Sequence, residues 1–458
     1  MPRLASRTAC ASLLLLLAAS AGAQGVPADR ALVAYVDSVA GAAVAQNRTA
    51  GVSVAVVRGG RTVLSKGYGF ADLENDVRAT DQTVYRIGSI TKQFTSASIM
   101  RLAEQGKLSL DDTLQRFFPA YPVQGNRVAI HHLLNHTSGI RSYTSMGPKW
   151  ARTMRLDVAP DTLVALFSAE PFDFAPGTQW RYDNSGYFLL GMIVEKASGK
   201  PYPQYVQDEL FTPLGLTGTR YCDQRPLIKH RAQGYMPLPN GQLGNADLLS
   251  MTQPYAAGSL CSTVGDLVTW TRALSSGKVV SAASYARMTT PDTLNNGRRL
   301  NYGFGLNVGA LQGHREISHN GGINGFISEL HHYPNDSLIV VVLTNTEGPT
   351  APALQRLIAK RALGIYPPPT VPLAPADAAR YAGNYKLGQV PVRIYVENGQ
   401  LRAQPQGQRV GRMRHLGNGR FVDEDDDNVV LQFPAEGNPT PSFVLEQNGN
   451  KTTVTREP

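Results

Sequence analysis

Two hairpin signals, far apart in the chain, constrain the fold more than any other feature. Near the start, Gly51-Val52-Ser53-Val54-Ala55-Val56-Val57 and Thr62-Val63-Leu64-Ser65 flank Arg58-Gly59-Gly60-Arg61, and paired glycines suit a tight turn. Much later, Phe326 to Tyr333 and Leu338 to Leu343 flank Pro334-Asn335-Asp336. Between them the signals are mostly helical segments and long loops. Thr91 to Gln105 carries Ile99, Leu102, Ala103 and Gly106 at i, i+3, i+4 and i+7, and Ile130 to Leu134, Thr162 to Phe167 and Tyr187 to Ala197 are further helical runs. Asp29 to Gln46 reads as an opening helix and Ala353 to Ala362 as a closing one. The expected class is therefore α/β (α+β): an antiparallel sheet built from both chain ends, flanked by helices, with an inserted helical lobe.

Composition divides the chain further. Residues 1–23 read as a secretory leader: Arg3 and Arg7, an apolar run from Ala9 to Ala19, then Ala21-Gly22-Ala23 with cleavage after Ala23. The run falls short of the ~20 residues that span a bilayer, so the expectation is export to the periplasm or beyond without a transmembrane anchor. Residues 365–376 hold Pro367, Pro368, Pro369, Pro372 and Pro375, a stiff linker. From 377 to 458, short alternating runs separated by Asn-Gly and Gly-Asn turns predict a small all-β domain, sandwich or barrel. Residues 24–364 form the main domain. Asp423 to Asp427 reads as a solvated acidic turn.

The formal charge of +9 falls to +7 without Arg3 and Arg7. It biases the surface mildly towards anions. No basic run with interleaved aromatics supports nucleic-acid binding. Cys222 and Cys261 remain after the leader; a disulfide worth about 3 kcal/mol and two buried free thiols are both open. His132 and His136 stand four apart, but the second falls in a loop. His331 and His332 alternate on a strand. Neither pair gathers the three or four ligands of a zinc site, and no metal or cofactor is expected.

Three short strings carry the chemistry: Ser89-Ile90-Thr91-Lys92, Tyr182-Asp183-Asn184 and His319-Asn320-Gly321. Each type of string recurs, at Ser275 and Lys278, at Tyr333 and Asn335, and at His415 and Gly417, so context decides. Ser89 follows a strand-like run ended by Gly88 and precedes a helix. Its plain use there is an N-cap; its chemical use rests on Lys92, which lies on the same helical face and can activate the hydroxyl. Tyr182 and Asn184 lie on a loop before a helix. With Lys92, and with His319 if protonated, nearby, the Tyr182 phenolate is favoured as a general base, while Asn184 holds Lys92 or substrate. At His319-Asn320-Gly321-Gly322, glycines let a substrate backbone approach, and the amides of Ser89 and Gly322 form a candidate oxyanion site.

The ordered strings sit among longer phrases: Leu133-Leu134-Asn135-His136-Thr137-Ser138-Gly139, Pro176-Gly177 through Tyr182-Asp183-Asn184-Ser185-Gly186-Tyr187, Pro213-Leu214-Gly215-Leu216, and Ala257-Gly258-Ser259-Leu260 with Ser262-Thr263. From about Ala28 to Ile365 the chain resembles the serine β-lactamase and penicillin-binding protein superfamily. It is most similar to the class C-like branch with D,D-carboxypeptidases, D-aminopeptidases and esterases. The resemblance implies Ser89 as acylated nucleophile, Lys92 as its activator, Tyr182 as proton shuttle, and Asn184, His319, Asn320 and Gly321 as substrate contacts. His319 stands where class C β-lactamases carry lysine, and no Lys-Thr-Gly occurs in the chain, which favours a peptidase or esterase acting on a peptide or small molecule. Asn320 replaces the threonine that helps bind a substrate carboxylate. A class C-like β-lactamase and a binder without turnover are the rival readings, and oligomeric state is left open. The C-terminal β-domain resembles lipocalin-like barrels of D-aminopeptidase relatives.

Overall fold

The computed structural model describes residues 14–366, 369–424, 426, 428–447 and 450–457. Arg3, Arg7 and Cys10 of the leader, Pro367 and Pro368 of the linker, and residues 425 and 427 of the acidic turn lie outside the described residues. The chain divides into two compact units, one ending at Ile358 and the other starting at Ala359.

The first unit is organised by a seven-stranded antiparallel sheet. Strands β1 (Gly51–Arg58), β2 (Arg61–Asp72) and β3 (Val77–Arg78) come from the early segment, and β4 (Asn307–Leu311), β5 (His314–Ile323), β6 (Phe326–Tyr333) and β7 (Leu338–Thr344) from the late one. Their order across the sheet is β3-β2-β1-β7-β6-β5-β4. The two ends of the chain meet at the centre, where β1 runs against β7 from Val52 opposite Thr344 to Arg58 opposite Leu338. Both strands are almost wholly buried, because their near-continuous valine, isoleucine and leucine runs are covered on both faces. The expected turn between β1 and β2 forms with Gly59 and Gly60 at φ 57° and 76°, the left-handed region that a two-residue hairpin needs.

Helix α1 (Leu14–Ala45) lies along the β2 side, where Asp37 accepts from Lys66 at 2.7 Å and from the Tyr68 hydroxyl at 2.8 Å. Helix α2 (Thr91–Glu104) is buried on every side from Thr91 to Met100, not on one stripe as its leucine spacing suggests. Its polar side chains are matched: Thr95 with Tyr202, Ser96 with Tyr187, and Gln93, whose amide oxygen accepts from Trp270. Phe94 stacks on Trp270 of helix α4 (Val264–Ser275) with centroids 3.9 Å apart. Helix α3 (Asn184–Ser198) packs beside α2; it starts at an Asp183 cap and stops at Gly199 with φ 74°.

In the second unit, eight strands close a barrel: β8 (Gly383–Leu387), β9 (Val390–Glu397), β10 (Gln400–Pro405), β11 (Gly411–His415), β12 (Arg420–Asp423), β13 (Val430–Gln432), β14 (Ser442–Gln447) and β15 (Asn450–Arg456). Alternate residues fill the interior, among them Tyr385, Leu401, Met413, Phe421, Phe433 and Phe443. Phe433 is the hub, with Tyr381, Phe421 and Phe443 rings within 5.6 Å of its own. Asp423 of the acidic turn is ion-paired with Arg409 at 2.8 Å.

Replacing Phe433 with Ala removes the ring on which three others pack and opens a cavity that the closed strands cannot collapse into. The expected cost is about 3–5 kcal/mol for unfolding of the barrel, read by urea titration of near-ultraviolet circular dichroism. A loss below 1 kcal/mol contradicts this packing.

Candidate active site

Gly88–Ile90 form one turn of 3-10 helix that leads straight into α2. No side chain caps either helical start, so the Ser89 hydroxyl is not spent as an N-cap. It stays partly exposed, while Lys92 beneath it is fully buried. Lys92 Nζ lies 3.1 Å from Ser89 Oγ, 2.8 Å from Asn184 Oδ1 and 2.8 Å from the Ala257 carbonyl oxygen. The phenol of Tyr182 shares a hydrogen bond with Ser89, and Lys92 Nζ sits 4.7 Å from its ring centre. Residues from three distant segments therefore meet around one hydroxyl.

The phrases around the strings build this meeting point. Ala257-Gly258-Ser259-Leu260 supplies the carbonyl that holds Lys92, accepts the Ile87 amide at Leu260 O, and donates the Leu260 amide to Thr91. Leu133 to Gly139 holds the Tyr182 loop from behind. Leu134 O accepts from Tyr187, Ser138 donates to Asp183, and His136 Nδ1 accepts the Asp183 amide at 3.0 Å. Asn184 is oriented by donating its amide to Thr144 Oγ1 at 3.0 Å.

Strand β5 brings the third string. It pairs with β4 only from His314 to Ser318, so from His319 onward its outer edge has no strand neighbour among the described residues. That stretch lies against the Ser89 turn at a distance only glycine permits. A Cβ on Gly321 would fall 2.0 Å from Ile87 O and 3.0 Å from Ser89 N, and one on Gly88, at φ 48°, would meet the Gly322 backbone at 3.0 Å. The side chains of His319 and Asn320 take opposite directions, and His319 is buried while Asn320 is exposed. His319 Nδ1 is 2.6 Å from the Asn320 carbonyl oxygen and its Nε2 is 2.8 Å from the Tyr302 hydroxyl.

Burial drives every titratable group here towards its uncharged form. Desolvation pulls Lys92 well below the usual lysine range, opposed only by Asp183. His319 is lowered to about 3 by burial and then by Lys92, and His136 well below its usual value for the same reasons and by His319. Asp183 is raised to about 7 by burial, against hydrogen bonds from Gly186, Ser138 and Ser185. Tyr182 is raised as well, with the Ser89 hydrogen bond opposing. The expectation of a Tyr182 phenolate is thus corrected: burial raises the phenol itself and pushes the amine and imidazole meant to stabilise the phenolate towards their uncharged forms.

The repeated strings fall elsewhere. Ser275 ends α4 and Lys278 is exposed beyond Gly277. Tyr333 donates to Glu316, away from the cleft, and His415 stacks on Phe421 in the barrel. Cys222 and Cys261 lie side by side as buried thiols, hydrogen-bonded to each other. His331 has both nitrogens on carboxylates, Glu316 and Glu329, which raises it to about 9, and no metal cluster occurs among the described residues. Sequence reasoning missed Tyr302, Thr144 and the bonding of His136. For Tyr302 a signal existed in Gly303 and Gly305, since a Cβ on Gly305 would strike Lys92 O at 2.6 Å.

The chain belongs to the beta-lactamase family, whose sequence model matches residues 36–364. It is 29% identical over 442 residues to a penicillin-binding protein of Bacillus subtilis (strain 168), covering 88% of this chain and 94% of that one. It is 27% identical over 332 residues to a D-aminopeptidase of Brucella canis, covering 70% of this chain and 61% of the relative. Among solved structures, a D-stereospecific amidohydrolase from Streptomyces sp. matches with TM-score 0.63 and 28% identity over 72% of this chain and 98% of its own. An octameric penicillin-binding protein homologue from Pyrococcus abyssi shares the fold over 92% of this chain and 100% of its own, with TM-score 0.68 at 24% identity.

Two outcomes test this geometry. Gly321→Ala forces β5 from the Ser89 turn and should slow labelling of Ser89 by a fluorophosphonate at least ~10-fold; labelling at the normal rate would contradict the close approach. Asp183→Asn tests the raised carboxyl. Folded Asp183 holds its proton to about pH 7, whereas the unfolded residue loses it near 4, so wild-type stability falls as pH rises across that window and levels off above it. The variant should gain on wild type by roughly 1.4 kcal/mol per pH unit between those limits, measured by urea unfolding; a flat difference refutes the shift.

Proposed function

We propose that the protein is an exported serine hydrolase that forms an acyl-enzyme on Ser89 and hydrolyses amide or ester bonds of D-amino-acid peptides and related compounds. The observation that carries this reading is the partner set of Lys92. A neutral lysine has two N–H donors and one lone pair. Asn184 Oδ1 and Ala257 O accept two N–H groups, and in the reactive neutral form the remaining position, which otherwise donates to Ser89 Oγ at 3.1 Å, is the lone pair that takes the hydroxyl proton. Ser89 Oγ then attacks the substrate carbonyl as its proton passes to Lys92.

The remaining groups complete the cycle. Amides of Ser89 and Gly322, adjacent across the close approach, are the proposed donors to the oxyanion. Tyr182, a phenol at neutral pH, gives its proton to the leaving amine or alkoxide and regains one from the Lys92 ammonium. In the second half, water attacks the ester carbonyl as its proton passes through Tyr182 to Lys92, and Lys92 hands that proton to Ser89 Oγ as the acyl–oxygen bond breaks, which restores the hydroxyl and the neutral amine. Asn184 and the open edge of β5 orient the substrate chain, which pairs as an added strand. The leader pattern supports export, and among the described residues no helix is long and apolar enough to cross a membrane. The D-aminopeptidase and D-stereospecific amidohydrolase among the similar proteins support the D-amino-acid class.

Ser89→Ala should abolish fluorophosphonate labelling and turnover with folding intact, and Tyr182→Phe should lower kcat by ~100-fold or more. A side-by-side panel of a D-amino-acid amide, a D-alanyl peptide, a short aryl ester and a chromogenic cephalosporin identifies the substrate. Rapid steady-state cephalosporin hydrolysis would replace this reading with a β-lactamase, and absence of any adduct on Ser89 would remove the enzyme altogether.

A further inference from the structure

We propose that Tyr302 is a positioning residue that fixes His319 as an uncharged and fully committed imidazole, so that the cleft selects substrates with a neutral amide or ester beside the scissile bond over those with a free carboxylate. This inference rests on the hydrolase reading and narrows its substrate class.

The hydrogen-bond geometry sets the tautomer. A carbonyl oxygen only accepts, so the 2.6 Å contact with Asn320 O places a hydrogen on His319 Nδ1. In a neutral ring Nε2 is then an acceptor, and the Tyr302 hydroxyl at 2.8 Å donates to it. Both rings are buried, 1% exposed for His319 and 3% for Tyr302, so water does not compete for either bond. Tyr302 is held in turn by His136, whose ring centre lies 4.7 Å away, and by Trp180 at 6.1 Å. A charged His319 would require the Tyr302 hydroxyl hydrogen to turn from Nε2 towards Tyr187, its other hydrogen-bond partner, and a positive charge to form in a buried site beside Lys92.

The consequence for recognition follows from counting donors. Desolvating a carboxylate is offset only by a cation or by several aimed N–H and O–H groups. His319 has no donor to spare. Lys92 is committed to Ser89, Asn184 and Ala257, and the Asn184 amide to Thr144. Arg86, the nearest cation in sequence, lies over the Phe326 ring at 5.8 Å and is drawn towards Cys222. Exposed Asn320 offers one neutral amide, which matches a carboxamide or ester better than an anion.

The test compares D-phenylalanyl-D-alanine with its C-terminal carboxamide at neutral pH, using mature wild-type protein and Tyr302→Phe. Wild type should favour the carboxamide by about tenfold or more in kcat/KM. Tyr302→Phe keeps the ring that packs on His136 but frees Nε2 to take up a proton with the carboxylate, so the ratio should shrink towards one. Nitrogen-15 NMR of the wild-type imidazole should show His319 neutral with the hydrogen on Nδ1, a signature that a merely structural tyrosine would not dictate. Equal or better use of the free acid by wild type, an unchanged ratio in the variant, or a hydrogen on Nε2 overturns the proposal. If neither peptide is cleaved and Ser89 takes no label, the hydrolase reading fails, and the NMR tautomer still decides the state of His319.

Discussion

The desolvated amine of Lys92 is the point on which the first unit turns. A lysine sealed inside a protein is costly unless its nitrogen is matched, and here three partners match it from three segments: the Ser89 turn, the start of α3 and the Ala257 turn. Each partner is held by the surroundings, so the amine cannot be satisfied until the sheet, the helical lobe and α2 are all in place. This accounts for the character of α2, which is buried on all faces and matched polar group by polar group, unlike a surface helix with one apolar stripe. It also accounts for the sheet topology. Running β1 against β7 at the centre ties the early and late parts of the chain together and carries β5 to the mouth of the site.

The second constraint is steric. β5 and the turn at Ser89 approach so closely that Cβ atoms at Gly88 and Gly321 have no room. The approach leaves the backbone amides of Ser89 and Gly322 as neighbours and the edge of β5 beyond Ser318 without a strand partner among the described residues. An open strand edge is normally a liability for aggregation. In the proposed reaction it becomes the place where an extended substrate completes the sheet, and the exposed Asn320 and Gly322 mark the face it meets.

Much of this was legible in the sequence because it is carried by local pattern. Valine-rich runs broken by Gly59-Gly60 and Pro334-Asn335-Asp336 announce the hairpins, and the turn spacing after the linker announces the all-β unit, which closes into a barrel. Ser89, Lys92, Tyr182, Asn184 and His319 are brought together in space, and all lie within the residues that the beta-lactamase family model matches. What was illegible depends on solvent exclusion and on contacts between distant segments. Nothing in the spacing says that His319 is neutral, that Tyr302 is its partner seventeen positions earlier, or that His136 accepts from the Asp183 amide. The Tyr182 phenolate was expected from neighbours assumed to be charged. Burial reverses that, since it acts on Lys92 and His319 before they can act on the phenol.

Taken together, these shifts push the site towards an uncharged resting state. Lys92, His136 and His319 are pushed towards their unprotonated forms, Tyr182 keeps its proton, and Asp183 loses its own only near pH 7. In the proposed acyl transfer the first full charges then appear together: an oxyanion at the backbone amides and an ammonium at Lys92. They arise in surroundings of low polarity, where their attraction is strong and no resting ion has to be displaced. A site that held a permanent ammonium would bind an anionic substrate tightly before any bond changed, and would spend that attraction on the ground state. By weakening the hold of the amine on a proton, the burial of Lys92 reserves more of that interaction for the step in which charge develops.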